Sequence, residues 1–324
     1  MPRGPSRRAL LAALPVAGLP ALPRIARAAW PERPIRIIVT FPGGTQTDIL
    51  TRLYSAQLSQ RLGQPVVIDN RGGGQGQIGI RAALSAPADG HTLVMVGVST
   101  GASAPHMIKD LSYDPRRDLV PISMIAEAPY LFACDPRLPV HSLPELIAYA
   151  KARPGQLNFG HGAPSRQIVG LLMARQAGIE VVDVAYRGQP EALNDTISGR
   201  LSFTISDLGD ALVQAREGRV RALAVSTATR SALAPEIPPV ADTLPGFSMS
   251  VWFMLAGAAG TPPEVVRRLN GELATILADP ELRARLAPQG LEVRSLEPAR
   301  LAEFLADEIE NWGRVVRTLG ITPQ

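Results

Sequence analysis

The chain has 324 residues, 46% of them hydrophobic and 19% charged, which is long enough for two domains with proper cores and too apolar for a disordered protein. Its net charge of +4 comes from the N-terminus: Arg3, Arg7, Arg8, Arg24 and Arg27 precede the first acid, Glu32, and 33 basic residues minus these five leaves 28 against 29 acids. A near-neutral body has no electrostatic footprint for nucleic acid or an anionic membrane surface, and neither partner is expected.

Residues 1–28 read as an export signal: basic residues, an apolar stretch from Ala9 to Leu22 too short to span a bilayer, then Ala26-Arg27-Ala28 as a small-residue processing site. Arg7-Arg8 also fits a twin-arginine signal, so both export routes stay open. Ile35 to Phe41 is a β-branched strand, and Asp48 to Gly63 is a helix with Leu50, Tyr54, Leu58 and Leu62 on one face and glycine as terminator. After a strand at 66–69 comes Gly73-Gly74-Gln75-Gly76-Gln77-Ile78-Gly79, which contains Gly-x-Gly-x-x-Gly. A dinucleotide site needs a carboxylate at the tip of the next strand, but 92–98 ends in Ser99-Thr100, so no nucleotide and no other cofactor is expected.

Further strands are expected at 181–186, 201–207, 221–227 and 251–258. Short continuous apolar runs suit strands buried on both faces, hence an α/β protein with a largely parallel sheet covered by helices. Ser142-Leu143-Pro144-Glu145 and Thr261-Pro262-Pro263-Glu264 both fit the capping box. The C-terminal helices carry core-facing stripes: Val265, Leu269, Leu273 and Ile276, then Leu282 and Leu286, then Leu301, Leu305, Ile309, Trp312, Val316 and Leu319. The run from Val251 stops at Thr261-Pro262-Pro263, a strand's length and not a membrane anchor. Proline-marked stretches at 134–139 and 235–245 bracket a second module, giving two α/β lobes joined by two crossovers: lobe one over 29–132 and 250–324, lobe two over 133–249.

Open α/β sheets bind ligands beyond the carboxyl ends of their strands. The residues found there are small, hydroxylated or glycine-rich: 41–48, the glycine loop with Gln77, Ser99-Thr100, 160–166, and Tyr186-Arg187-Gly188. Such loops expose backbone N–H groups at helix N-termini and favour an anion. Catalytic patterns are poor. The histidines at 91, 106, 141 and 161 lack ligand spacing, Ser165 lacks the second glycine of a nucleophile elbow, and lone Cys134 is a small core residue, so neither a metal site, a disulfide nor an enzyme is expected.

Phe41-Pro42-Gly43-Gly44-Thr45-Gln46-Thr47-Asp48, Asp69-Asn70-Arg71-Gly72-Gly73, Ala88-Asp89-Gly90-His91-Thr92-Leu93, and Val184-Ala185-Tyr186-Arg187-Gly188 resemble the motifs of the tripartite tricarboxylate transporter receptors, the Bug or TctC-like periplasmic solute-binding proteins. The resemblance runs over essentially the whole mature chain. It implies a type II-like periplasmic binding fold closing on a small carboxylate-bearing metabolite: a dicarboxylate, tricarboxylate, acidic amino acid or aromatic acid. It further implies a monomer that hands this ligand to the membrane subunits of a transporter, a sensor kinase being the alternative partner. Carried over by position, Phe41, Gly44, Thr45, Thr47 and Asp48, with Gln77, Ser99 and Thr100, line the first lobe; Gly160, His161, Gly162, Ser165, Tyr186 and Asp207 line the second. Gly43, Thr45 and Arg187 depart from the family pattern, and the second loop is shorter, with Gln167 where the family has histidine. Arg166 admits two readings, a reach toward a distal ligand acid or a solvated surface arginine.

Overall fold

The computed structural model describes Met1 and residues 30–323; the expected export signal lies outside this range apart from Met1. The chain begins with β1 (Ile35–Val39), α1 (Gln46–Leu62), β2 (Val66–Asn70), α2 (Gln77–Leu84), β3 (Thr92–Gly97) and the short helices α3 (Ala104–Met107) and α4 (Pro115–Asp118). A 16-residue strand, β4 (Leu119–Cys134), leads into α5 (Leu143–Lys151), β5 (Leu157–His161), α6 (Pro164–Ala177), β6 (Val181–Ala185), α7 (Gln189–Ser198), β7 (Phe203–Asp207), α8 (Leu208–Arg216) and β8 (Arg221–Val225). The chain returns through β9 (Ser250–Ala258), α9 (Pro263–Ala278), α10 (Pro280–Leu286), β10 (Glu292–Val293) and α11 (Pro298–Leu319).

The strands run in the order β2-β1-β3-β9-β4-β7-β5-β6, with β8 and β10 also paired to β4. Each lobe keeps parallel ladders of its own, β1 with β2 and β3, and β5 with β6 and β7. Every ladder made by β4 or β9 is antiparallel, so the sheet is mixed where a largely parallel one was expected. The apolar run was a poor guide here because it reports burial on both faces, and the two crossing strands are buried in the same way while running the other direction. β4 pairs with β9 as far as Pro129 opposite Ser250, then takes β7 as partner from Tyr130 opposite Asp207. One strand therefore belongs to both lobes.

Ser226, wholly buried just past β8, ties the two crossovers together. Tyr130 N–H donates to its Oγ at 2.8 Å, and the Ser226 hydroxyl donates to the Met249 carbonyl at 2.6 Å. Backbone bonds reinforce this: Ser226 N–H reaches the Tyr130 carbonyl at 2.9 Å, and Met249 N–H reaches the Ser226 carbonyl at 2.8 Å. A buried node in which both partners are satisfied holds the crossovers in register.

The helix stripes are buried as their spacing predicts, Leu50, Tyr54 and Leu58 completely and Leu301 to Val316 nearly so, with only Leu319 half-exposed. Glu308 of α11 accepts from the indole N–H of Trp252 at 2.7 Å and of Trp312 at 3.2 Å, which fastens the last helix to β9. At α5 the cap forms: Ser142 Oγ accepts from Glu145 N–H, and the Glu145 carboxylate accepts from His141 N–H at 2.7 Å. The second expected capping box does not form. Pro262 occupies the N-cap of α9, and the Thr261 hydroxyl donates to the Ala258 carbonyl at 2.7 Å instead, closing the end of β9. Cys134 is buried, and burial pushes its thiol up to about 11.

Candidate functional site

Between the lobes lies a narrow cavity of about 30 Å³ lined by the starts of α1 and α6. β1 delivers the chain to a turn in which Gly44 takes a left-handed φ of +80°. Its N–H donates to Asp48 Oδ2 at 3.0 Å, while Asp48 Oδ1 accepts from Asn70 Nδ2 at 3.0 Å and pairs with Arg52 at 2.9 Å. Burial pushes the Asp48 carboxyl up, but the Arg52 pair and these hydrogen bonds outweigh it and hold the group below the usual range. Asp48 braces the loop from within.

Thr45, at the N-cap of α1, spends its hydroxyl on the Pro42 carbonyl at 2.8 Å and leaves the helix without a side-chain cap. Among the described residues the N–H groups of Gln46, Thr47 and Asp48 have no backbone acceptor outside the helix, and a first helical turn offers them none within it. α6 starts at Ala163 without a cap from its own N-cap residue, but Pro164 has no N–H and the Ser165 N–H donates to Ser99 Oγ of the other lobe at 3.4 Å. The lobes touch where the Ser99 hydroxyl donates to Ser165 Oγ at 2.9 Å. Two long helices thus direct the positive ends of their dipoles into one small space.

On the second lobe, Gly162 N–H donates to Gln189 Oε1 at 3.0 Å, Gln189 Nε2 to Thr204 Oγ1 at 2.8 Å, and Thr204 Oγ1 to the Gly160 carbonyl at 2.9 Å. Gly162 is required for contact: a Cβ there would stand 2.2 Å from the Gln189 nitrogen. Arg166, 8% exposed, lies 5.5 Å over the Tyr130 ring and pairs with Asp207, 3% exposed. The surface reading of this arginine is thereby set aside. Burial first, then the neighbouring Asp207 charge, push the Asp210 carboxyl up to about 6, with Arg166 pulling back.

A chamber of about 620 Å³ adjoins the narrow cavity, with Phe41, Gly162 and Ala163 lining both. Of the residues singled out in the sequence, Phe41, Thr45, Thr47, Ser99, Gly162, Ser165 and Asp207 line the inner cavity, and His161 and Tyr186 line the outer chamber with Phe41 and Gly162. Gly44, Asp48, Gln77, Thr100 and Gly160 line neither. Gly44 and Asp48 form the turn, Gln77 opens α2, Thr100 Oγ1 bonds Gly97, and Gly160 packs with Leu201, Ala192 and Tyr186. Gln46, Gln189 and Phe253 line the inner cavity without having been singled out as ligand-binding. Only Gln46 carried a signal, since it follows the N-cap directly. Burial pushes His161 below the usual histidine range, partly offset by Asp183, 3.4 Å from Nε2. Among the described residues no three His, Cys, Asp or Glu side chains gather as a metal site, and no helix is long and apolar enough to cross a membrane.

Residues 49–321 match the model of the tripartite tricarboxylate transporter family receptor. The chain belongs to this receptor family. A UPF0065 protein of Bordetella bronchiseptica is 34% identical over 321 residues, covering 99% of this chain and 95% of the relative, and protein BugT of Bordetella pertussis is 34% identical over 299 residues, 90% of each. Among solved structures, Rpa4515 of R. palustris with adipate superposes at a TM-score of 0.88, 34% identical, covering 91% of this chain and all of the other. MatC of Rhodopseudomonas palustris with bound malate superposes at 0.83, 29% identical, covering 89% of this chain and 100% of the other. The fold of this receptor is the two-lobe, type II-like arrangement of periplasmic solute-binding proteins.

Proposed function

We propose that this receptor is exported to the periplasm and captures a small carboxylate-bearing metabolite between its lobes, 29–132 with 250–324 on one side and 133–249 on the other, for the membrane subunits of a tripartite transporter. The observation that carries the reading is the uncapped start of α1 opening, with the start of α6, onto one cavity. A carboxylate there meets the amides of Gln46 and Thr47 and the hydroxyls of Thr47 and Ser165 without a covalent step. The liganded relatives, one with adipate and one with malate, support an organic acid as the cargo.

The energetics suit reversible capture. About three charge-assisted hydrogen bonds at roughly 1.5–3 kcal/mol each approach the roughly 8 kcal/mol of a micromolar complex once apolar burial is added and ordering costs are subtracted. Calorimetry on the mature chain tests the reading by pairing organic acids with their neutral amides. Acids should bind and the matched amides should not; equal heats for both would refute a site built for negative charge. Thr47→Ala should weaken the acids by about 1–2 kcal/mol.

A further inference from the structure

After α10 the chain makes one tight turn, Ala287–Gln289, and leaves it through Gly290 at a left-handed φ of +71°. Leu286 and Leu291 on either side are buried, and β10 follows, paired antiparallel with β4, so the turn is fixed to the first lobe. From there Gln289 and Gly290 lie against Leu208 and Gly209, at the start of α8 in the second lobe.

The contact is main chain on main chain. A Cβ on Gly209 would stand 2.3 Å from the Gln289 carbonyl carbon and 2.5 Å from its oxygen; a Cβ on Gly290 would stand 2.5 Å from the Gly209 nitrogen and 2.7 Å from Leu208 Cβ. Two glycines therefore meet where neither position has room for a side chain. α8 has no side-chain cap from its N-cap residue, because Asp207 pairs with Arg166 instead. The Gln289 carbonyl rests against that first turn, an oxygen at the positive end of a helix dipole. Further along the same segment, Ser231 of the second lobe donates to Glu292 Oε1 at 3.4 Å.

The same carbonyl has a second partner. Gln46, the first residue of α1, donates from Nε2 to the Gln289 oxygen at 3.0 Å. Gln46 is 5% exposed and lines the inner cavity, as does Asp207, the residue before Leu208. One carbonyl thus lies between the starts of two helices, and both helices begin in the cavity wall.

Resting on the receptor reading above, we infer that Gln289-Gly290 is a clasp that shuts onto Gly209 as the lobes close around the ligand, with Gln46 as the positioning residue that ties the clasp to the occupied cavity. A carboxylate on the Gln46 amide orders the first turn of α1. The Gln46 side chain then holds the Gln289 carbonyl at the depth the glycine contact requires. The clasp sets how far the lobes close and, with that, how slowly the ligand leaves.

The test is calorimetry and stopped-flow dissociation on the mature chain with adipate and malate as probes, beside the melting temperature of the ligand-free protein. Gly209→Ala should weaken binding at least about tenfold, through faster dissociation, because the added Cβ meets backbone that cannot yield as a side chain would. Its ligand-free melting temperature should be unchanged or slightly higher, as alanine in place of a helical glycine gives when nothing obstructs it. Gln46→Met, close in shape but without the donor, should cost about fivefold, the net worth of one hydrogen bond. The double variant should bind no worse than Gly209→Ala alone, since both act through one contact. Unchanged binding by Gly209→Ala, a lowered ligand-free melting temperature that marks the contact as permanent packing, or losses that simply add would each overturn the clasp while leaving the receptor standing. If neither acid binds the parent protein, the receptor reading falls and the clasp with it.

Discussion

Arg166→Gln probes the buried charge at the base of the cleft. The substitution removes the partner of Asp207, which is 3% exposed and has no other side-chain donor among the described residues. Breaking a buried pair from one side costs about 3–5 kcal/mol because the remaining charge stays desolvated. Asp210 adds a pH signature. Its carboxyl already sits up at about 6 through burial and the Asp207 charge, and loss of Arg166 raises it further. A carboxyl raised in the folded state above its unfolded value takes up protons preferentially when folded. The penalty is therefore complete above the folded value and fades as pH falls toward the unfolded value near 3.8. Urea unfolding should show a loss of about 3–5 kcal/mol at pH 8, a visibly smaller loss at pH 5, and recovery of most of it in the double variant Arg166→Gln/Asp207→Asn. A single-variant loss below about 1 kcal/mol, or one that neither pH nor the second substitution relieves, would refute the charge argument.

Three further outcomes follow from local geometry. Ser226→Ala strips the Tyr130 amide and the Met249 carbonyl of a hydroxyl partner inside a fully buried node, so denaturant unfolding should report a loss of about 2–4 kcal/mol; a change near zero would mean that the crossovers do not depend on this node. Gly162→Ala places a Cβ 2.2 Å from the Gln189 backbone, which cannot give as a flexible side chain would, and should cost at least about 1–3 kcal/mol together with acid binding in calorimetry. Asp210→Asn should abolish the decline in thermal stability that the parent shows as pH rises from near 3.8 to about 6; a parent midpoint that stays flat over that window would contradict the raised carboxyl.

Much of the cleft was legible because its parts are local. A turn glycine, a hydroxylated helix start and small-residue loops leave marks within a few residues of each other, and six of the residues so marked line the inner cavity, Asp207 being added by the family resemblance alone. Helix faces were equally readable, since their spacing directly states which side is buried. β4 was missed because its 16 residues contain Pro121, Ser123, Glu127 and Pro129, which break an apolar run, and because its partners lie far along the chain. The proline at the α9 N-cap shows a related limit: the capping-box letters were present, but whether Thr261 turns toward the helix or the strand end depends on the tertiary path. Arg166 and Gln189 are a third case. Their roles come from partners 41 and 27 residues distant in sequence, Asp207 and Gly162, which no local pattern connects.

Native mass spectrometry of the freshly purified mature receptor, followed by release and identification of whatever it carries, reaches the central claim most directly. The uncapped start of α1, with the start of α6 beside it around a head-group cavity, predicts a bound organic acid that is lost on denaturation and re-binds to the emptied protein. A released molecule with no acidic group, or an emptied protein that takes up neutral solutes as readily as acids, would contradict it.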